Sequence, residues 1–233
     1  MTESTPVLMI PGLLASPRLY AEQVPQLWRL GPVTIADHTR DDSMSGIARR
    51  ILASAPPRFA LIGLSMGGYI AFEILRQAAQ RVVKLALLDT SARPDTPEQT
   101  AVRREQIELA RGGRLAEVVD SSIPRLVRAE RRSDPLLRQL LQQMAVEVGV
   151  EGFVRQQLAN IGRPDSRPRL GEIRCPTMVL VGDGDEITPH DRAAEIATAI
   201  GGARLATIPN SGHSSTIEQP EFVARALLEF LQS

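Results

Sequence analysis

Ser65 sits in Gly63-Leu64-Ser65-Met66-Gly67, a G-x-S-x-G pattern with an apolar run before it and a helical pattern after it. A serine hydroxyl attacks a carbonyl only when a base takes its proton, so this residue needs a histidine and an acid to orient that histidine. The glycines suit a sharp strand-to-helix turn, where residues beside the nucleophile must lack side chains for the backbones to cross. Such a turn lifts the hydroxyl above the sheet edge and points a helix N-terminus at it, where negative charge is favoured. The plainer reading is a tight turn whose serine only caps the helix.

The chain has three histidines. His213, in Pro209-Asn210-Ser211-Gly212-His213, follows the last apolar run and precedes the last helical pattern. Loops at the C-terminal ends of parallel strands are where a doubly wound sheet places its functional groups. His38, in Asp37-His38-Thr39, lies near the same edge but comes before the serine. His190 opens a helical pattern after Thr188-Pro189 and reads as a surface or capping residue. For the acid, Gly182-Asp183-Gly184-Asp185 offers two aspartates after one strand, and Asp89 ends another. Spacing alone does not choose among them.

These residues require a particular frame. Apolar runs at 7–10, 33–36, 59–64, 82–88, 177–181 and 204–208 read as strands, with helical patterns at 45–53, 67–78, 191–199 and 220–231. Strands that are apolar throughout and alternate with helices predict an α/β fold, a mostly parallel sheet covered on both faces. Phe222, Ala226, Leu227 and Phe230 mark the inward face of the last helix. From 91 to 171 no strand is visible. Thr96-Pro97-Glu98 starts a helix that Gly112-Gly113 ends, Ser133-Asp134-Pro135 starts another that stops at Gly149, and 151–160 forms a third. The expected organisation is a core of residues 1–90 and 172–233 with a helical lid, 91–171, inserted between the fourth and fifth strands, because long inserts in compact domains usually serve a site.

With these elements in place the chain resembles the α/β-hydrolase superfamily, which holds carboxylesterases, enol-lactonases, carbon–carbon bond hydrolases and the methyl-ester carboxylesterase of biotin synthesis. Gly63-Leu64-Ser65-Met66-Gly67-Gly68-Tyr69 is similar to its nucleophile elbow. Gly182-Asp183-Gly184-Asp185-Glu186-Ile187-Thr188-Pro189 resembles its acid loop and selects Asp185 over Asp183. Ser211-Gly212-His213 with Glu218-Gln219-Pro220 resembles its histidine loop and closing helix. The order Ser65, Asp185, His213 is that of this superfamily. The resemblance implies Ser65 as nucleophile, His213 as base, Asp185 as orienting acid, and an oxyanion hole of the Leu13 and Met66 backbone N–H groups. One departure is Pro11-Gly12 where the family commonly has His-Gly, as in a P-G-L-L variant. The first strand starts so early that the N-terminal strands of larger relatives are not expected.

Composition narrows the function further. Lys+Arg and Asp+Glu are both 27, so the electrostatic footprint of a nucleic-acid binder is missing. No apolar run approaches the roughly 20 residues of a membrane span. Residues 1–6 lack the basic segment and apolar core of an export signal. Cys175 is the single cysteine and makes no internal disulfide. The expectation is a cytoplasmic enzyme without metal or organic cofactor, since no histidines have zinc-ligand spacing and no phosphate-loop pattern occurs. Its expected substrate is a small-molecule ester or thioester of small to medium acyl size. Aromatics at 3% disfavour sugar stacking. Leu115, Val118, Val119, Ile123, Leu137, Leu140, Leu141 and Phe153 could line an acyl pocket or merely pack the lid. Arg125, Arg128, Arg131 and Arg132 read as a solvated face, or as receptors for an anionic substrate such as a dicarboxylic monoester. A carbon–carbon bond hydrolase or enol-lactonase is the rival on the same scaffold. A ligand-binding protein that turns over slowly or not at all is the second rival, because fold does not fix function.

Overall fold

The computed structural model describes residues 5–233; part of the N-terminal segment read for an export signal, residues 1–4, lies outside them. The strands are β1 (Val7–Ile10), β2 (Val33–Ile35), β3 (Phe59–Leu64), β4 (Val82–Leu88), β5 (Thr177–Gly182) and β6 (Arg204–Ile208). They form one sheet in the order β2-β1-β3-β4-β5-β6, with every pairing parallel. The central β1, β3 and β5 are buried along their whole length, which is why they read as unbroken apolar runs. The edges β2 and β6 are half-exposed. Register pairs Ile10 with Gly63, Leu64 with Leu88, and Gly182 with Ile208, so the loops that follow all leave one edge of the sheet.

The helices are α1 (Val24–Leu27), α2 (Met44–Ser54), α3 (Met66–Ala78), α4 (Pro97–Leu109), α5 (Leu115–Leu126), α6 (Pro135–Ile161), α7 (His190–Ala199), α8 (Ser215–Glu218) and α9 (Pro220–Gln232). Alternate strand residues feed two cores. Leu8, Ile10, Leu61, Leu87 and Val181 pack with Ile47 of α2, Ile70 of α3 and Ile196 of α7. Met9, Ile62, Leu64, Leu88 and Leu180 pack with Leu27 of α1 and Leu227 and Phe230 of α9. Each such fully buried side chain stabilises the fold by about 1.5–3 kcal/mol before entropy is counted. The buried stripe of α9 is Val223, Ala224, Leu227 and Phe230. Phe222 and Ala226, expected on that face, are only partly buried and flank it. Among the described residues no helix is long and apolar enough to cross a membrane.

Between β4 and β5 the chain makes only helices. Thr96 caps α4 in a reciprocal capping box with Gln99, and Asp134 caps α6 by accepting the Leu136 and Leu137 N–H groups. Gly113, at φ 79°, breaks the turn between α4 and α5, while Gly149, at φ 70°, kinks α6 rather than ending it. The two ends of this insert meet. Ser166 N–H donates to the Ala92 carbonyl at 2.8 Å. The Asp95 carboxylate, 1% exposed, accepts from Arg103 Nε at 2.6 Å and from Arg163. Arg163 also stacks 4.4 Å over the Tyr69 ring of α3. Removing one partner of an enclosed ion pair leaves a stranded charge. We expect Asp95→Ala to lower stability by about 3 kcal/mol in urea unfolding, whereas Glu117→Ala, which opens the exposed Arg114 pair, should change it little.

Candidate active site

The strand order reverses between β1 and β3: the chain leaves β1 toward β2 and leaves β3 toward β4. A crevice opens at such a switch point, and Ser65 stands in it, at the end of β3 and the start of α3. Ser65 adopts φ 55° and ψ −115°, strained for a residue with a Cβ. The strain persists because its N–H donates to the Leu88 carbonyl at 2.9 Å and its carbonyl accepts from Gly68 N–H at 2.9 Å and the Thr90 hydroxyl at 2.7 Å.

Ser65 Oγ lies 2.8 Å from His213 Nε2, and His213 Nδ1 lies 2.9 Å from Asp185 Oδ2. An ionised carboxylate only accepts, so Nδ1 carries the ring proton and Nε2 faces the serine with its lone pair. Asp185 also accepts from the Ile187 N–H (2.8 Å), the Thr188 N–H (2.9 Å) and the Thr188 hydroxyl (2.7 Å). Burial works to raise the Asp185 pKa. The histidine beside it and the Thr188 donors outweigh burial and hold the carboxylate below its usual range. Burial likewise works to lower the His213 pKa, and the neighbouring carboxylate turns the net direction upward.

The three candidate acids separate by what they touch. Asp183 accepts from the Asn210 and Ser211 N–H groups, at 3.1 Å each, and from Arg128, so it staples the histidine loop. Asp89 is fully buried and accepts from the Gly182 N–H at 2.8 Å and from the Ser215 hydroxyl. Burial, together with the Asp185 charge, pushes its pKa well above the carboxylate range. Only Asp185 holds the imidazole. His190 is exposed at the first position of α7, after Pro189 at the N-cap, and is a surface residue rather than a cap.

The Leu13 and Met66 N–H groups, which find no acceptor among the described residues, border the same cavity as Ser65 and His213. That cavity holds about 380 Å³. Its loop at Pro11-Gly12 is anchored by residues that sequence reasoning did not single out together. Gln156 of α6, fully buried, accepts the Leu14 N–H at 3.0 Å. His38 Nε2 lies 2.9 Å from both the Gly12 carbonyl and the Gln156 amide nitrogen. A neutral ring serves one of these at that nitrogen: protonated there it donates to Gly12, unprotonated it accepts from Gln156. Burial keeps His38 neutral by lowering its pKa. A lone glutamine in a helix carries no pattern that could have revealed this contact.

Of the insert residues that could line an acyl pocket, Val119 and Leu141 border the cavity. Phe153 and Val118 pack with Ala110 in a small separate core, and Ile123 and Leu137 join the main one. Packing within the fold consumes these four. A larger groove of about 880 Å³ lies across α3, beside Cys175 and the Glu73–Arg76 and Arg169–Glu172 pairs. It contains none of Ser65, Asp185 or His213, whereas Ser65 and His213 both line the smaller cavity.

Two measurements test this geometry. The His213 imidazole, followed by NMR titration, should have a pKa above the ordinary 6.5, and Asp185→Asn should lower it, because burial then acts with less opposition. An unchanged value would mean the carboxylate does not hold the ring. Gln156→Leu frees the Leu14 N–H and loosens the loop that carries Leu13. It should reduce kcat on any hydrolysed ester by about tenfold or more with little change in KM.

The alpha/beta hydrolase family model matches residues 7–226. The chain is 31% identical over 183 residues to the AB hydrolase superfamily protein YisY of Bacillus subtilis, covering 74% of this chain and 66% of that protein. It is 28% identical over 213 residues to a 2-hydroxy-6-oxononadienedioate/2-hydroxy-6-oxononatrienedioate hydrolase of Paraburkholderia xenovorans, covering 88% of this chain and 73% of that one. Among solved structures, a thermophilic esterase from Thermogutta terrifontis is similar with a TM-score of 0.88 and 30% identity, over 98% of this chain and 89% of that one. The matched span runs from β1 into α9 and takes in all the loops of the cavity, and the chain belongs to the alpha/beta hydrolase family.

Proposed function

We propose that this protein is a serine hydrolase that cleaves a carboxylic ester or thioester of small to medium acyl size by way of an acyl-enzyme. The observation that carries the reading is the unbroken hydrogen-bond chain from Ser65 Oγ through His213 to Asp185, beside a cavity that the free Leu13 and Met66 amides also border. His213 Nε2 takes the hydroxyl proton as Ser65 Oγ bonds to the carbonyl carbon. The carbonyl oxygen gains a negative charge, and the Leu13 and Met66 N–H groups donate to it. Asp185 stabilises the imidazolium and keeps Nδ1 protonated. His213 then gives its proton to the leaving alcohol or thiol as the bond to carbon breaks. Water, deprotonated by the same histidine, attacks the acyl-enzyme and releases the acid and Ser65.

The insert supports this reading as a lid: Val102 of α4, Val119 of α5 and Leu141 and Met144 of α6 form apolar cavity wall above a core of residues 1–90 and 172–233. A space of about 380 Å³ suits a small-molecule substrate. Cleavage of a carbon–carbon bond in an oxo-dienedioate is the second reading, favoured by the Paraburkholderia xenovorans relative. It differs in the bond broken, so a substrate panel separates the two.

The test is hydrolysis of p-nitrophenyl esters of graded acyl length. Wild type should show an optimum at short to medium chains, and Ser65→Ala should lose roughly 10⁴-fold or more of kcat. A fluorophosphonate should label wild type once per chain and leave the variant unlabelled. The base must be neutral to act, and its pKa is raised, so kcat/KM should fall below an acid limb lying above 6.5. Absence of both labelling and Ser65-dependent hydrolysis would sink the proposal and favour a binding protein.

A further inference from the structure

The arginines at the end of α5 and in the segment after it do not share one environment. Arg128 pairs with Asp183 and with Glu130, Arg131 with Asp134 at 2.6 Å, and Arg132 with Glu186 at 2.8 Å. Arg125 meets no carboxylate among the described residues, and its side chain donates to none of their oxygens. It is the member of this group that lines the cavity with Ser65 and His213.

The backbone holds Arg125 at a set distance from the reacting groups. The carbonyl of Leu126, the next residue, accepts the N–H of Ser214, which follows His213, at 2.8 Å. Two residues on, Glu218 bridges the Arg128 and Gly212 N–H groups at 2.8 and 2.7 Å. The end of α5 and the histidine loop are thus one clamped unit. Arg125 is close enough to His213 for its charge to oppose protonation of the imidazole. The other arginine on the cavity wall is already engaged: Arg103 is matched by Asp95 at 2.6 Å.

An unmatched guanidinium on the wall of an acyl-transfer cavity presents a planar fork of N–H donors that fits a carboxylate. A carboxylate bound there would also offset the Arg125 charge, which works against the imidazolium formed during attack. We propose that the site takes half-esters of dicarboxylic acids, with the ester carbonyl at Ser65 and the free carboxylate paired to Arg125. This rests on the serine-hydrolase reading, and Arg125 is then the residue that selects the substrate class.

The experiment is a ratio: kcat/KM for p-nitrophenyl hydrogen glutarate over that for p-nitrophenyl pentanoate. Arg125→Gln should lower the ratio about 10- to 100-fold, and Arg125→Lys should keep most of it. Added salt should lower the ratio in wild type and leave it level in Arg125→Gln. A ratio within about twofold of wild type in Arg125→Gln overturns the proposal, whatever happens to activity as a whole. If Ser65 proves not to be acylated, the subsite is tested by calorimetry with monomethyl glutarate and methyl pentanoate. Preference of Ser65→Ala protein for the charged ligand, lost in Ser65→Ala/Arg125→Gln, supports the carboxylate site. Equal binding of the two ligands, or no binding of either, overturns it.

Discussion

The site depends on how closely the start of α3 crosses the end of β1. A Cβ on Gly67 would lie 2.0 Å from the Ile10 carbonyl oxygen, and one on Gly63 would lie 2.4 Å from the Gly67 carbonyl oxygen. Only hydrogen fits in either place. The crossing forces Ser65 into its strained backbone, and the sheet ladder through Leu88 keeps it there. The same crossing brings Leu13, on the loop leaving β1, and Met66, at the head of α3, to one cavity. The Ser65 hydroxyl and the two free amides beside the cavity therefore share one steric cause.

The electrostatics then follow from which donors reach which carboxylate. Three aspartates stand at one sheet edge, and their environments drive them apart. Asp183 is paired and partly exposed, and staples a loop. Asp89 is buried under like charge and pushed toward its neutral form. Asp185 gathers three donors besides the histidine and stays ionised in spite of burial. An acid that orients an imidazole must be both buried and charged, and only this one has the donors to be so.

The insert does more than cover the edge. Its own ends are closed by Asp95 and Arg163, Gln156 of α6 supports the loop of Leu13 and Leu14, and Glu218 ties Gly212 to Arg128. Arg128 and Arg132 reach across to Asp183 and Glu186 on either side of Asp185. The loop of Leu13 and Leu14, the loop of Asp185 and the loop of His213 are thus each anchored to residues of 91–171. A rigid site needs such support, because small displacements of catalytic groups are costly. The loop after Pro11 is held by His38 beside the Gly12 carbonyl and by Gln156, which accepts the Leu14 N–H.

The sequence by itself determined the sheet, the sharp strand-to-helix turn at Ser65 and the placing of aspartates and His213 on loops that follow strands. Fully buried strands must be apolar throughout, a sharp crossing must be flanked by glycine, and both leave local patterns. It also specified the caps of α4 and α6, since Thr96 and Asp134 act on residues two or three positions away. What it left open were contacts between residues far apart in the chain. The residue pattern alone could not separate Asp89, Asp183 and Asp185, because what distinguishes them is the donors each one meets. Eight apolar insert residues were indistinguishable as cavity wall or packing, since both uses make the same helical stripe. The arginines of the insert looked alike for the same reason, until Arg128, Arg131 and Arg132 met their carboxylates and Arg125 did not. Gln156 meeting Leu14, 142 positions away, was decided by tertiary structure alone. Periodicity records which face of an element is buried, whereas the partner buried against it is set by how distant elements pack.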